Sequence, residues 1–123
     1  MKNYEAELML QALNALSNSN TTLPTLTGYR ILVDKNKLET TIKPYLDMRD
    51  NIIMKYDKSG TVTKETPGFD KCLQELNAIG NEEAENVTLT KIRLKDLKDT
   101  KIPVNLLNAI MPIIDDTEEK DGK

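Results

Sequence analysis

The chain contains no histidine and no tryptophan, and it has one cysteine and one phenylalanine among 123 residues. Histidine is the commonest general base of enzymes and the commonest neutral ligand of metal ions. Its absence excludes a Ser-His-Asp triad, a Cys-His nucleophile and a histidine-based zinc hydrolase. Because aromatic residues make up only 4% of the chain, a core must consist of Leu, Ile, Val and Met, which is typical of packed helices.

Cys72 has no second cysteine with which to form an internal disulfide. Small secreted domains usually carry several cysteines, so we expect an intracellular protein. Glu5 and Glu7 interrupt the N-terminal segment where a signal peptide would be apolar, and no run approaches the ~18 apolar residues of a membrane span. We therefore expect neither a targeting segment nor contact with a membrane.

The length and charge of the chain favour one soluble domain. Its 17 basic and 20 acidic residues leave a net charge of −3, without the clustered basic excess of a nucleic-acid-binding protein. A chain of 123 residues usually forms a single core. We predict a helical domain over residues 1–114 and an acidic, frayed tail over residues 115–123.

Helical spacing of apolar residues predicts a first helix from Tyr4 to Ser17, with one apolar face. The face comprises Tyr4, Leu8, Ala12, Leu13 and Leu16. A polar cluster and Leu23-Pro24 then indicate a loop.

A heptad pattern follows between about Thr25 and Tyr56, where apolar residues repeat every seven positions at Ile31, Leu38, Tyr45 and Ile52. It predicts one long helix of roughly 50 Å that protrudes from the domain as an arm. Pro44 predicts a kink near Thr40–Thr41, or two shorter helices that meet there. An alternative makes Tyr29–Val33 a strand.

A polar segment from Asp57 to Glu65 is predicted as the arm tip, with a small β-hairpin around Ser59-Gly60 as an option. Thr66 as N-cap and Pro67 as first helical residue predict a return helix that ends at Gly80. This helix is expected to pack antiparallel on the distal half of the long helix. The two form a hairpin arm over about residues 25–80.

The run Val87–Leu94 alternates apolar and polar residues, which predicts a half-buried strand with a bend near Thr90–Lys91. A single strand must pair with the Tyr29–Val33 run, with the arm tip or with another chain. Pro103 opens a last helix that continues to Ile114. The predicted fold class is therefore mainly α (α+β): a long antiparallel helical hairpin with N- and C-terminal helices and a small β element.

No motif indicates catalysis. The Asp57 loop has its glycine at the wrong position for a calcium loop, and Lys58-Ser59-Gly60-Thr61 lacks the glycine spacing of a phosphate-binding loop. Cys72 lies on an apolar stripe and is interpreted as a core residue. We predict no catalytic, metal-ligating or cofactor-binding residue, and no cofactor.

Candidate partner-binding residues come from charge patterns. Arg49 occupies a seam position, where it either contacts a partner or reaches to solvent. Lys91 and Arg93 belong to a basic stripe without aromatic platforms, which does not favour nucleic acid. The acidic tail either mimics a phosphate backbone or improves solubility; its candidate residues are Asp115, Asp116, Glu118 and Glu119.

The order of these segments resembles small phage and prophage proteins of Gram-positive bacteria. The resemblance covers nearly the full chain and is carried by helical spacing patterns: Tyr4–Leu16, Leu23-Pro24, Tyr45–Tyr56, Phe69–Leu76, Lys91–Leu97 and Leu106–Ile114. It implies a viral origin but no reaction and no assigned site residue.

Together these features predict a non-enzymatic phage protein that binds another protein, of host or phage. Its site of action would be the host cytoplasm, and an inhibitor of a host defence or replication complex, such as an anti-CRISPR protein, fits this description. The alternative is a virion structural or assembly protein that forms a homo-oligomer through the hairpin and the strand.

Overall fold

A computed structural model describes residues 1–18, 23–84, 87–97 and 103–115. Within these ranges the chain forms the α-helices α1 (Asn3–Ser17), α2 (Thr25–Tyr56), α3 (Phe69–Gly80) and α4 (Val104–Ile110). Two short strands, β1 (Ile92–Arg93) and β2 (Ile114–Asp115), pair in parallel. Short 3₁₀ turns follow β1 at Leu94–Leu97 and α4 at Met111–Ile113. The prediction of a mainly helical fold with a small β element is confirmed.

The first helix has the predicted extent but turns a different face to the core. Its buried residues are Ala6, Met9, Leu10, Ala12, Leu13 and Leu16. Tyr4 and Leu8, predicted on the buried face, are 43% and 42% exposed. The prediction was wrong for these two because α1 is apolar around more than half of its circumference, so spacing alone does not select the buried face.

The second helix is a single α-helix that continues through Pro44. The alternatives of a strand at Tyr29–Val33 and of two helices meeting near Thr40–Thr41 are therefore wrong. Pro44 and Thr40 are both exposed. The Thr40 carbonyl, which loses its intrahelical partner at Pro44, can therefore be hydrated, and this lowers the cost of a proline inside the helix.

The main core lies between α1, α2, α4 and β1. It joins the inner face of α1 to Ile31, Leu38 and Ile42 of α2 and to side chains from the C-terminal part of the chain: Ile92, Leu97, Ile110 and Ile113. Ile52 of α2 and Cys72 of α3 are also buried, but they lie outside this cluster. The distal part of α2 thus shares a separate, smaller apolar contact with α3.

Turns rather than a β-hairpin connect α2 to α3. Asp57 Oδ1 accepts hydrogen bonds from the backbone N–H of Ser59 at 2.9 Å and from its hydroxyl at 2.7 Å. Thr66 does not cap α3, because its hydroxyl accepts the backbone N–H of Thr63 at 2.9 Å. The helix begins instead at Phe69, after Gly68 with φ of 81°. The predicted Thr66-Pro67 start was therefore wrong.

The predicted strand Val87–Leu94 is reduced to Ile92–Arg93. Its partner is none of the three expected ones: Ile92 pairs with Ile114 and Arg93 with Asp115, residues near the C-terminus. The preceding segment makes side-chain contacts with α2 instead of ladder bonds. Lys37 Nζ donates to the Thr88 carbonyl at 2.7 Å, and the Thr90 N–H is bonded to Asp34.

The last predicted helix is shorter than expected, because α4 ends at Ile110 and β2 occupies Ile114–Asp115. Pro112 explains the early end, since it has no backbone N–H to continue the helix. Asp115 belongs to the sheet, so the predicted tail boundary was wrong at this residue. The rest of the predicted acidic tail, residues 116–123, lies outside the described residues.

Candidate protein-binding surface

Arg49, predicted as a partner contact, is engaged within the chain. Its Nη1 donates to Glu7 Oε2 of α1, and the Tyr45 hydroxyl donates to Glu7 Oε1 at 3.3 Å. The guanidinium also lies over the Tyr45 ring, 5.8 Å from its centroid. The Arg49 and Glu7 side chains are 34% and 20% exposed, so water screens this pair less than a surface pair.

The environment of this pair raises the pKa of both Arg49 and Tyr45. For Arg49, burial acts to lower the pKa, but the hydrogen bond and charge of Glu7 outweigh it. For Tyr45, burial is the largest cause, followed by the negative charge of Glu7. Arg49 therefore stays charged and joins α2 to α1.

The other predicted contact residues gather at the small sheet. Lys91 Nζ donates to the Pro112 carbonyl at 2.9 Å. Arg93 and Asp115 occupy paired positions of β1 and β2, where opposite charges are favourable neighbours. The remaining acidic candidates, Asp116, Glu118 and Glu119, lie outside the described residues.

An apolar surface between α1 and α4 was not predicted as a site. We call it the α1–α4 surface; its large apolar side chains are Met1, Tyr4, Leu8, Val104 and Met111, with exposures of 41%, 43%, 42%, 81% and 51%. Two adjacent concavities, of about 230 and 350 Å³, both border Asn108. The first is also bordered by Tyr4 and Leu8, and the second by Val104 and Met111.

The chemistry of the α1–α4 surface suits recognition rather than reaction. Its concavities are at or below the lower end of the roughly 300–1,000 Å³ typical of small-molecule sites. The polar residues Glu5, Asn105 and Asn108 are among those that line them. Such shallow apolar depressions with amide donors can receive single side chains of a protein partner.

Asp34 is the other unusual group. It is 0% exposed, and its Oδ2 has no hydrogen-bond partner among the described residues, while Oδ1 accepts hydrogen bonds from Thr90. Burial raises the pKa of Asp34 above the ordinary value of 3.8, and the bonds from Thr90 and the charge of Lys37 partly offset this. Asp34 does not line either concavity of the α1–α4 surface.

In the part of the chain that the structure describes, no three Cys, Asp or Glu side chains cluster in a way that could hold a metal ion. No helix in the same ranges combines the length and apolarity needed to cross a bilayer.

Sequence reasoning missed the α1–α4 surface because it assigned Tyr4 and Leu8 to the buried face of the first helix. One signal was present: α1 carries more apolar residues than a single face can hold, and α4 has no charged residue on any side. A helix without a polar face indicates either full burial or an exposed apolar surface.

Comparison with known proteins returned no match: no family model, curated protein or solved structure resembles this chain significantly.

Proposed function

We propose that this protein acts without catalysis, by stoichiometric binding of another protein through the α1–α4 surface. The observation that supports this most directly is that large apolar side chains from two separate segments are exposed around the concavities at Asn108. Val104 is the most exposed of them, at 81%. Contiguous exposed apolar surface with polar edges is a mark of protein interaction sites. Methionine adds adaptability, because its flexible thioether fits irregular partner surfaces.

The proposed partner is a protein of the host cell, bound in the host cytoplasm. This part of the proposal depends on the resemblance of the chain to small phage proteins. Small phage proteins without a reaction commonly act by blocking a host complex, so a CRISPR nuclease, another defence system or a replication factor is a candidate target.

We also propose that α2 and α3 form an antiparallel hairpin, an arm whose exposed side chains make further contacts with the partner protein. Two contacts support this course: a Cβ at Gly68 would lie 2.8 Å from the Tyr56 ring, and a Cβ at Gly80 would lie 3.7 Å from the Tyr45 hydroxyl. The start of α3 is thus near the end of α2, and the end of α3 is near an earlier residue of α2. The exposed Met48, Met54 and Leu73 belong to this arm.

An assembly role through the hairpin and an unpaired strand receives less support. The strand at Ile92–Arg93 pairs with Ile114–Asp115 of the same chain, so it does not need a strand from a second copy.

The binding surface is tested by affinity isolation from host extract with quantitative mass spectrometry. Val104→Glu and Asn108→Arg place charge in the apolar centre at exposed positions, and we expect each to reduce the recovery of specific partners by about tenfold or more. Leu26→Glu is the matched control, since Leu26 is 54% exposed, lies at the start of α2 and borders neither concavity. Equal recovery with all variants would rule out the α1–α4 surface.

The mode of action is tested with a purified CRISPR nuclease or replication complex identified by that isolation. A stoichiometric inhibitor reaches full effect near equimolar ratio, and its midpoint rises in proportion to the target concentration when binding is tight. A midpoint independent of target concentration, with turnover of the target by a substoichiometric amount of protein, would instead indicate an enzyme.

A further inference from the structure

Lys91 connects the segment before β1 to the C-terminal end of α4. Its Nζ donates to the Pro112 carbonyl at 2.9 Å, across 21 positions of sequence. The parallel pairing of Ile92 with Ile114 brings the two residues together, because it places Lys91 beside the turn that follows α4. The preceding Thr90 is bonded to α2 instead, so two successive residues of this segment contact two different elements.

The Pro112 carbonyl lies at the end of a helix that has no basic residue of its own. α4 has seven residues and continues directly into the 3₁₀ turn Met111–Ile113. The last carbonyls of a helix lack intrahelical partners and form the negative end of its dipole, and a lysine side chain can bind them. No residue from Pro103 to Ile114 is charged. Lys91 therefore supplies the missing cation from another segment.

The same helix end forms one wall of the α1–α4 surface. Asn108 and Pro112 border the concavity that Tyr4 and Leu8 of α1 border from the other side. Asn108 also borders the second concavity, together with Met111. The shape of both concavities therefore depends on where the end of α4 and its turn lie relative to α1.

Core packing holds only the inner side of this helix end. Ile110 and Ile113 are buried, with exposures of 0% and 4%. A helix of seven residues has little stability of its own in water, so its position depends on tertiary contacts. On the outer side, the exposed Pro112 is joined to the segment before β1 by the bond from Lys91.

From these observations we infer that Lys91 is a positioning residue of the α1–α4 surface. It caps the C-terminal end of α4 and its turn, and it thereby holds the wall that carries Asn108 and Pro112 in the position that a partner protein recognises. The recognition by a partner rests on the proposed function, whereas the cap is a property of the free protein. The sequence predicted Lys91 as a direct partner contact; in this inference it acts through the helix end instead.

The cap is tested on the free, full-length chain by hydrogen exchange of backbone amides, measured by NMR. Lys91→Met keeps an unbranched side chain but removes its charge and its donors. A cation at a helix C-terminus has a modest effect, so exchange at the amides of Leu107–Met111 should become about two- to fivefold faster. Amides of α1 should keep their wild-type rates, which separates a local effect from general destabilisation. Lys91→Arg keeps a cationic donor and should restore the wild-type rates at α4.

Lys37→Met is the matched control. Lys37 is also an exposed lysine whose Nζ donates to a backbone carbonyl, that of Thr88 at 2.7 Å, but this carbonyl is not part of α4 or its turn. We expect the α4 amides of Lys37→Met to exchange at the wild-type rate. The inference is overturned if exchange at α4 is unchanged in Lys91→Met, if Lys37→Met or the α1 amides show the same acceleration, or if Lys91→Arg does not restore it.

The effect on recognition is measured on the proteins from host extract whose recovery Val104→Glu reduces. Lys91→Met should lower their recovery by about twofold or more, and Lys91→Arg should restore it. Lower recovery without faster exchange at α4 would show that Lys91 contacts the partner directly, and faster exchange with unchanged recovery would show that the cap does not position the surface; either result overturns the inference. If no recovered protein depends on Val104, the proposed function fails, and the exchange rates alone decide whether Lys91 caps α4.

Discussion

The carboxylate of Asp34 holds Thr90 by two hydrogen bonds: its Oδ1 accepts the backbone N–H and the hydroxyl of Thr90, both at 2.7 Å. These bonds join the middle of α2 to the segment before β1, across 56 positions of sequence. They also explain why the predicted strand is short, because the Thr90 N–H is used by a side chain and cannot join a ladder.

Replacing Asp34 should change how stability depends on pH. Burial raises the pKa of Asp34 above 3.8, so the folded state binds this proton more tightly than the unfolded state. Ionisation of Asp34 therefore opposes folding. The protonated carboxyl of Asp34 contributes most to stability below the pKa that it has in the unfolded chain. This contribution is lost as the pH rises through its higher pKa in the folded chain.

In Asp34→Asn the side chain keeps an acceptor for Thr90 but cannot ionise. We expect Asp34→Asn to become more stable relative to wild type between pH 4 and pH 7. Urea denaturation measures this as a rise in its free energy of unfolding relative to that of wild type. Asp34→Ala leaves both Thr90 donors without their acceptor and should cost about 1–3 kcal/mol at either pH. A constant difference between wild type and Asp34→Asn across this range would contradict the assignment.

Breaking the Arg49–Glu7 pair should destabilise the fold more than breaking an exposed pair. Arg49→Ala leaves a carboxylate that is only 20% exposed without its cation, and we expect a loss of about 1–3 kcal/mol. The control is Lys43→Ala, because Lys43 and Asp47 form an i,i+4 pair with side chains 73% and 61% exposed. That change should cost less than about 0.5 kcal/mol. A double-mutant cycle with Glu7→Ala isolates the coupling, and coupling equal to that of the control pair would show that Arg49 is not a structural contact.

Alanine substitution at two glycines of positive φ should separate the cost of backbone strain from the cost of a clash between the new Cβ and the Tyr56 ring. Gly68 has φ of 81°, and its Cβ would lie 2.8 Å from Tyr56 ring atoms. Gly60 has φ of 83°, but nothing lies within 4 Å of its Cβ. Gly60→Ala should therefore cost about 1–2 kcal/mol from conformation alone. Gly68→Ala should cost more, because the Tyr56 ring must also move. Equal losses in thermal unfolding would mean that Tyr56 adapts freely.

The thiol of Cys72 can report separation of α3 from α2. Cys72 is fully buried beside the distal part of α2 and outside the main core cluster. Glu75 of α3 accepts hydrogen bonds from Lys55 and Tyr56, which holds the two helices together. Glu75→Ala should therefore accelerate labelling of Cys72 by a thiol reagent by more than about threefold, with little change in global unfolding.

The matched control for this measurement is Glu39→Ala, because Glu39 is an exposed acidic residue of α2. Labelling of Cys72 at the rate of a free thiol in the native wild type would show that it is not protected by packing.

Local sequence signals predicted most helix positions correctly. Tyr4–Ser17 and the long helix ending at Tyr56 were predicted within a residue or two, because apolar spacing and the prolines at positions 24 and 103 act through short-range sterics and burial. Gly80 also ended its helix as predicted. The candidate site was predicted less well, since Arg49 proved to be paired within the chain and the α1–α4 surface was not anticipated.

The sequence by itself determined that the protein is helical, that its core is aliphatic and that histidine chemistry is absent, because these follow from composition and from spacing over a few residues. Only the tertiary structure decided that Ile92 pairs with Ile114, that Asp34 is buried against Thr90 and that Tyr4 and Leu8 stay exposed. Each of these depends on which distant segment covers a given face, and spacing within one helix or strand holds no information about its neighbour in space.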